Sequence, residues 1–347
     1  MSVGLLPTVS VLALGGTIAS TGAGAGVTPT LTAEQLVESV PGLADVARIQ
    51  ADTFRQVPSP ELTLVDLVAL AREVERRIDA GDTGVVVTQG TNTIEETAFT
   101  LDLLVQSDAP VVVTGAMRNP TLPGADGPAN LLAAVSTAAS AHARALGTLV
   151  VFADEIHAAR YVRKAHTQSV APFRSSPIGS IGWVSEGAVR IGARPVGRRH
   201  LQLDEISEAP AVALLTFGSG DEGRLAAAVA PAGYRGLVVE ATGGGHVTAR
   251  SVEELERLAG QMPVVLASRT AAGEVLRRTY SFVGSEVDLA ERGLISAGAM
   301  TAARARMLLR LLLAAEASLD DVRRAFGALA APGEPAELLG GRLSVSA

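Results

Sequence analysis

The sequence predicts an α/β protein: a larger N-terminal domain with a mostly parallel sheet flanked by helices, then a smaller C-terminal α/β domain. Three observations carry that prediction. Apolar runs alternate with helical patterns, the cadence of βαβ units with right-handed crossovers. Two of those runs, residues 9–14 and 85–87, pass into Gly15-Gly16-Thr17 and Gly90-Thr91 turns, as buried parallel strands do at their carboxyl ends. With 48% hydrophobic residues, 36 glycines and only 3% aromatics, the core falls to Val, Leu, Ile and Ala, the composition of strands covered on both faces. At 347 residues the chain exceeds one core of ordinary size, so two domains are expected.

In chain order, strands are predicted at 9–14, 84–88, 110–114 and 147–152, with helices at 32–39, 63–80, 93–105 and 126–144. The helix at 63–80 is the best marked. Leu64, Leu67, Val68, Ala71, Val74 and Ile78 recur at helical spacing, Thr63 is placed to cap the start, and Gly81 follows the end. Residues 22–26 are glycine-rich and read as a flap. After residue 155, Pro172, Pro177, Gly179, Gly182 and Gly187 break the cadence into loops and a hairpin. Residues 194–210 read as an interdomain linker whose Arg194, Arg198, Arg199 and His200 form a solvated basic group. The domains are thus 1–193 and 211–347, the second with strands at 211–217, 236–240 and 263–268 and helices at 222–230, 251–260 and 300–316.

Several chemistries are excluded by what is missing. A formal net charge of -7 argues against a nucleic-acid partner, whose phosphates demand a basic surface. Without cysteine there are no disulfides, thiolate metal sites or cysteine nucleophiles. His142, His157, His166, His200 and His246 are scattered, none paired at metal-ligand spacing, so no metal is expected. Neither a P-loop, nor a well-placed dinucleotide fingerprint, nor a G-x-S-x-G elbow occurs. No apolar run is long enough to span a membrane, the Leu-rich 307–315 being interrupted by Arg310. Residues 1–14 lack a basic n-region and read as a first strand rather than a signal peptide, so a cytoplasmic protein is expected. What remains is hydroxyl chemistry. A threonine alcohol becomes a nucleophile once a neighbour takes its proton, and a lysine with a lowered pKa can do so. Lys164, in the polar segment past strand 147–152, is the candidate. Arg118 and Asp126 read as a structural ion pair or an interface feature.

The motifs, in this order, resemble those of the bacterial L-asparaginase/glutaminase family: Gly15-Gly16-Thr17-Ile18-Ala19; Gly90-Thr91-Asn92-Thr93-Ile94-Glu95-Glu96-Thr97-Ala98; Gly115-Ala116-Met117-Arg118; Ala125-Asp126-Gly127-Pro128 with Asn130-Leu131; and Arg160 to Lys164 with Phe173 downstream. The resemblance covers nearly the whole chain. It implies an amidohydrolase that converts L-asparagine to L-aspartate and ammonia through a covalent acyl-enzyme, with no metal or cofactor. It also implies a homotetramer or homodimer with sites near subunit interfaces. By the same resemblance Thr17 is the nucleophile, and Thr91 with Lys164 activates the second hydroxyl or the water. Ser59 meets the substrate carboxylate, Gly90 and Asn92 line the pocket, and Ala116 offers a backbone carbonyl beside the amide. Glu286, in Gly284-Ser285-Glu286, is the acid that reaches the neighbouring subunit's site.

Two positions depart from the family pattern. Asn92 stands where the family has an aspartate that pairs with the substrate ammonium; asparagine keeps the shape and one acceptor but not the charge, weakening a charge-assisted bond of about 1.5–3 kcal/mol. No tyrosine lies near Gly26 or Val27, where well-known members carry one on the flap. Three readings follow: an asparaginase-type amidohydrolase, of full or reduced activity or with a shifted substrate; a silent relative that binds a small amino acid or only assembles; and a specialised amidase or amide-transferring enzyme for substrates without a free α-ammonium. Joint retention of Thr17, Thr91 and Lys164 argues against the silent one.

Overall fold

The computed structural model describes residues 6–21, 28–29, 31–203 and 205–330. It divides into two compact units, Met1–Pro195 and Val196–Ala347.

In the first unit, β1 (Thr8–Ala13) is buried throughout, and Gly15 and Gly16, both at positive φ, turn the chain into the single turn Thr17–Ala19. A two-residue ribbon of β2 (Ser20–Thr21) and β3 (Thr28–Pro29) follows. The glycine-rich 22–26 stretch, with Gly26 and Val27, lies outside the described residues. Next come α1 (Ala33–Glu38), started by a Thr32–Gln35 capping box, the short α2 (Leu43–Val46) and β4 (Arg48–Thr53). The sequence did not announce β4. It is an edge strand, only partly buried, and Arg-Ile-Gln-Ala-Asp-Thr carries little apolar signal. α3 (Leu64–Asp79) begins as predicted: Thr63 Oγ1 accepts from Asp66 N, and the Asp66 carboxylate accepts from Thr63 N.

Then β5 (Gly84–Thr88), α4 (Ile94–Leu104), β6 (Val111–Thr114), α5 (Gly127–Ala139) and β7 (Thr148–Phe152) continue the βαβ cadence. The helix expected over 126–144 is shorter, because extended backbone at Ser140 ends it; Ser140 Oγ then accepts from His142 N to start a separate turn at Ala141–Ala143. β8 (Glu155–Ala158) folds back on β7; β9 (Arg163–Lys164) and β10 (Phe173–Arg174) pair only with each other; β11 (Gly182–Ser185) and β12 (Ala188–Ile191) form the predicted hairpin. The large sheet runs β12-β11-β8-β7-β6-β5-β1-β4 and is parallel from β4 to β7. Val9, Val11, Val86, Val112 and Val151 pack with Leu131 and Val135 of α5 on one face. β1 pairs with β4 on one side and β5 on the other, so the crossovers diverge between β1 and β5. Such a switch point opens a crevice at the strands' carboxyl ends.

The second unit holds β13 (Val212–Thr216), α6 (Arg224–Ala227), β14 (Gly236–Ala241), α7 (Ala249–Ala259), β15 (Val264–Ser268), α8 (Glu286–Glu291), β16 (Ile295–Ser296), α9 (Ala302–Ala314) and α10 (Leu319–Ala330). Its strands form a parallel sheet in the order β13-β14-β15-β16. The helix expected at 222–230 shrinks to α6 because left-handed Gly223 delays its start and i to i+3 bonds close it at Ala228 and Val229. Nor is the 194–210 stretch solvated throughout: His200, Leu201 and Leu203 are buried. No helix among the described residues is long and apolar enough to cross a membrane.

One ion cluster on α3 has a measurable pH signature. Hydrogen bonds from Arg76 hold the Glu73 carboxyl down at about 2, burial opposes, and Arg77 adds to the effect. A carboxylate held below its ordinary value stabilises the fold above that ordinary value and ceases to as pH falls towards 2. Glu73→Gln is therefore expected to cost about 1 kcal/mol at pH 7, as for a partly exposed pair, and almost nothing near pH 2. Urea midpoints of the two proteins across that range should converge on acidification; a constant gap would assign the loss to packing.

Candidate active site

β1 and β5 end side by side, Ala13 paired with Thr88 and Leu14 N donating to Thr88 O at 2.8 Å. Just beyond, the two glycine turns touch backbone to backbone. A Cβ on Gly16 (φ +87°) would lie 2.1 Å from Gly90 N, and one on Gly90 would lie 2.9 Å from Ser59 Oγ. Glycine is the residue that permits both the approach and the positive φ. Three segments thereby meet: the turn bearing Thr17, the turn bearing Thr91 and Asn92, and the Ser59–Glu61 turn. Thr17 is half-buried, Gly90 and Thr91 are buried, and Asn92 is exposed. Thr93 Oγ1 donates to Ser59 O at 3.1 Å, and Gln89 Nε2 donates to Thr93 Oγ1 at 3.4 Å, which ties the β5 turn to the Ser59 turn. The Ser59 hydroxyl is buried and makes no hydrogen bond with the described residues.

Lys164 comes from β9. Its Nζ donates to Thr91 Oγ1 at 2.8 Å and to Asn92 Oδ1 at 3.1 Å, and its backbone N–H donates to Glu95 Oε2 at 2.9 Å. Burial pushes the pKa of this amine below the ordinary lysine value, against the opposing pull of the Glu95 carboxylate. A lysine so placed sheds its proton more readily and can accept one from the threonine it touches.

Ala116, just past β6, is held on both sides. Gly115 O accepts from Asn130 Nδ2 at 3.0 Å, and Met117 N donates to both oxygens of Asp126, at 3.1 and 2.9 Å. Asp126 does not pair with the Arg118 guanidinium, which corrects the expected ion pair. Its carboxylate is occupied by the N–H groups of Met117, Arg118 and Asn130, while the guanidinium donates to Gly124 O at 3.1 Å.

Glu286 belongs to the second unit, where it opens α8 with a buried carboxylate. Oε1 accepts from Thr279 N and Tyr280 N, each at 2.8 Å, and Oε2 lies 3.0 Å from His246 Nε2. Burial alone would raise its pKa; the Tyr280 and Thr279 N–H groups and His246 outweigh that and hold it below the ordinary value. Tyr280 and Phe282 flank the His246 ring edge-on.

Sequence reasoning missed four supporting residues: Glu95, Gln89, Asn130 and His246. The first three lie inside or beside the quoted motifs, and their polar side chains in apolar surroundings were the available signal. Nothing local marked His246, whose partner is far along the chain. Among the described residues no group of His, Cys, Asp and Glu is arranged to hold a metal ion.

Comparison with known proteins agrees with this architecture. Residues 8–197 match the family model "Asparaginase, N-terminal", and residues 211–326 match "Glutaminase/Asparaginase C-terminal domain". A "Probable L-asparaginase" of Deinococcus radiodurans is 38% identical over 329 residues, covering 92% of this chain and 97% of that one. A "Probable L-asparaginase periplasmic" of Haemophilus influenzae is 33% identical over 317 residues, 89% of each chain. The crystal structure of a "Probable Cytoplasmic L-asparaginase" from Campylobacter jejuni superposes with a TM-score of 0.84 at 30% identity, covering 92% of this chain and 99% of that one. With both family models matched in order and relatives similar over nearly their full length, the chain belongs to the asparaginase family.

Proposed function

We propose that this protein hydrolyses the side-chain amide of L-asparagine to L-aspartate and ammonia through an acyl-threonine on Thr17. The observation that carries the reading is the 2.8 Å contact of Lys164 Nζ with Thr91 Oγ1. Thr17 Oγ adds to the amide carbon, and ammonia leaves with the hydroxyl proton. Water then cleaves the ester, freeing the carboxylate and restoring the alcohol. The Lys164 amine takes a proton from Thr91, the second hydroxyl, or by way of Thr91 from that water. Backbone N–H groups of the glycine turns face the developing oxyanion, and Ser59 takes the substrate carboxylate. Gly90, Asn92 and Ala116 line the pocket, and Glu286 serves the site of an adjoining subunit in a cytoplasmic homotetramer or homodimer.

Asn92 favours a second reading, a substrate without a free α-ammonium. Its Oδ1 faces Lys164 Nζ at 3.1 Å and brings no charge with which to balance a second cation. Ammonia release over L-asparagine, L-glutamine and succinamate, with and without Asn92→Asp, separates the two. If the ammonium contact matters, Asn92→Asp raises kcat/KM for L-asparagine tenfold or more, about 1.4 kcal/mol, and leaves succinamate unchanged. An unchanged L-asparagine rate removes residue 92 from ammonium recognition, and no turnover of any amide overturns the amidohydrolase reading.

A further inference from the structure

Lys164 sits on a strand of two residues, β9, which pairs only with β10: Phe173 opposite Lys164 and Arg174 opposite Arg163. No ladder joins this ribbon to the eight-stranded sheet, so the height of the amine above Thr91 depends on the Glu95 bond to the Lys164 N–H on one side and, across the ribbon, on what fixes β10. Two anchors do so. Phe173 is buried with its ring 5.1 Å from that of Phe152, at the end of β7. Ser175, the residue after β10, is buried with its Oγ 3.0 Å from Nδ1 of His157, itself buried on β8.

Resting on the reading of Lys164 as the proton acceptor, we propose that His157 is a positioning residue for the Lys164 amine, acting through Ser175 and β10. The ring's hydrogen-bonding capacity suits the task. Nε2 lies 3.3 Å from Glu155 Oε2, so a neutral imidazole that donates there is left with Nδ1 as the acceptor for the Ser175 hydroxyl. Burial favours that neutral form, with the Glu155 carboxylate opposing and Arg174 assisting. The order serine, histidine, carboxylate resembles a hydrolase triad, but Ser175 is only 3% exposed and cannot meet a substrate. Its hydroxyl is spent on registering β10 against β8. Breaking such a bond leaves a buried polar group unsatisfied, and a shift of about 1 Å in a catalytic group can cost about 10²-fold in rate.

The test uses the full chain and four variants: Ser175→Ala, His157→Phe, His157→Asn, whose amide reaches the Nδ1 position, and Lys164→Ala. Ser175→Ala and His157→Phe are expected to lower kcat on L-asparagine about tenfold with KM within twofold. They should also move the acid limb of the kcat profile to higher pH, because an amine loosened from Thr91 regains water while Glu95 stays beside it. His157→Asn should recover most of both. An unmoved kcat and acid limb in Ser175→Ala, even with a lowered Tm, would overturn the proposal, as would His157→Asn behaving no better than His157→Phe. Full activity in Lys164→Ala would instead overturn the proposed function itself.

Discussion

Replacing Thr17 by alanine is expected to lower ammonia release from L-asparagine by about 10⁴-fold or more, the scale on which loss of a nucleophile is felt. The fold should not notice. Thr17 is half-buried at the start of a single turn, where neither glycine that shapes the approach is altered. Among the described residues its hydroxyl makes no cap bond: the helical turn at Thr17–Ala19 has Gly16 at its cap, and the neighbouring hydroxyl that bonds Gly16 O belongs to Ser20. An unchanged Tm together with lost turnover is therefore the expected pair of results. Rapid quenching followed by mass spectrometry should find an added aspartyl group on the Thr17 peptide of the wild type and none on the variant. If Thr17→Ala retains a tenth of the activity, the nucleophile is another group, with Thr91 the first to test.

Lys164→Ala should cost about 10²–10⁴-fold, the range for removing a general base. The pH profile carries the sharper test. A protonated amine cannot take a proton, so kcat rises with pH as Lys164 loses its own. Burial lowers that pKa from the ordinary lysine value, so the limb lies at lower pH than an exposed lysine would give. Lys164→Ala should abolish the limb along with most of the rate. Lys164→Arg should keep the positive charge and still lack the limb, since arginine does not deprotonate in this range. A limb that survives in either variant belongs to a different group.

What the sequence disclosed depended on how local the signal was. The parallel strands ending at Thr88 and Thr114, and α3 with its Thr63 cap, were legible because apolar spacing and capping chemistry are written within a few residues. Edge strand β4 was hidden by its polar face. For the site, place past a strand end pointed to Lys164 and resemblance supplied the roles of Thr17 and Thr91, whereas the contact of Lys164 with Thr91 bridges 73 positions and no periodicity encodes it. The same holds for Glu95 beneath Lys164 and for His246 beside Glu286. Conversely, Arg118 and Asp126 looked paired by charge alone, and peptide N–H groups claimed the acid instead.

The close fit of Gly16 against Gly90 has a consequence for anyone wishing to retarget the enzyme. With a Cβ at residue 16 arriving 2.1 Å from the opposing nitrogen, every non-glycine codon there forces main chain apart from main chain. Libraries that randomise residue 16 would be filled with misfolded clones, so variation is better spent on positions 59, 92 and 116. The spacing of the alcohols thereby becomes an inherited constant, and selection is left to adjust charge and shape around it.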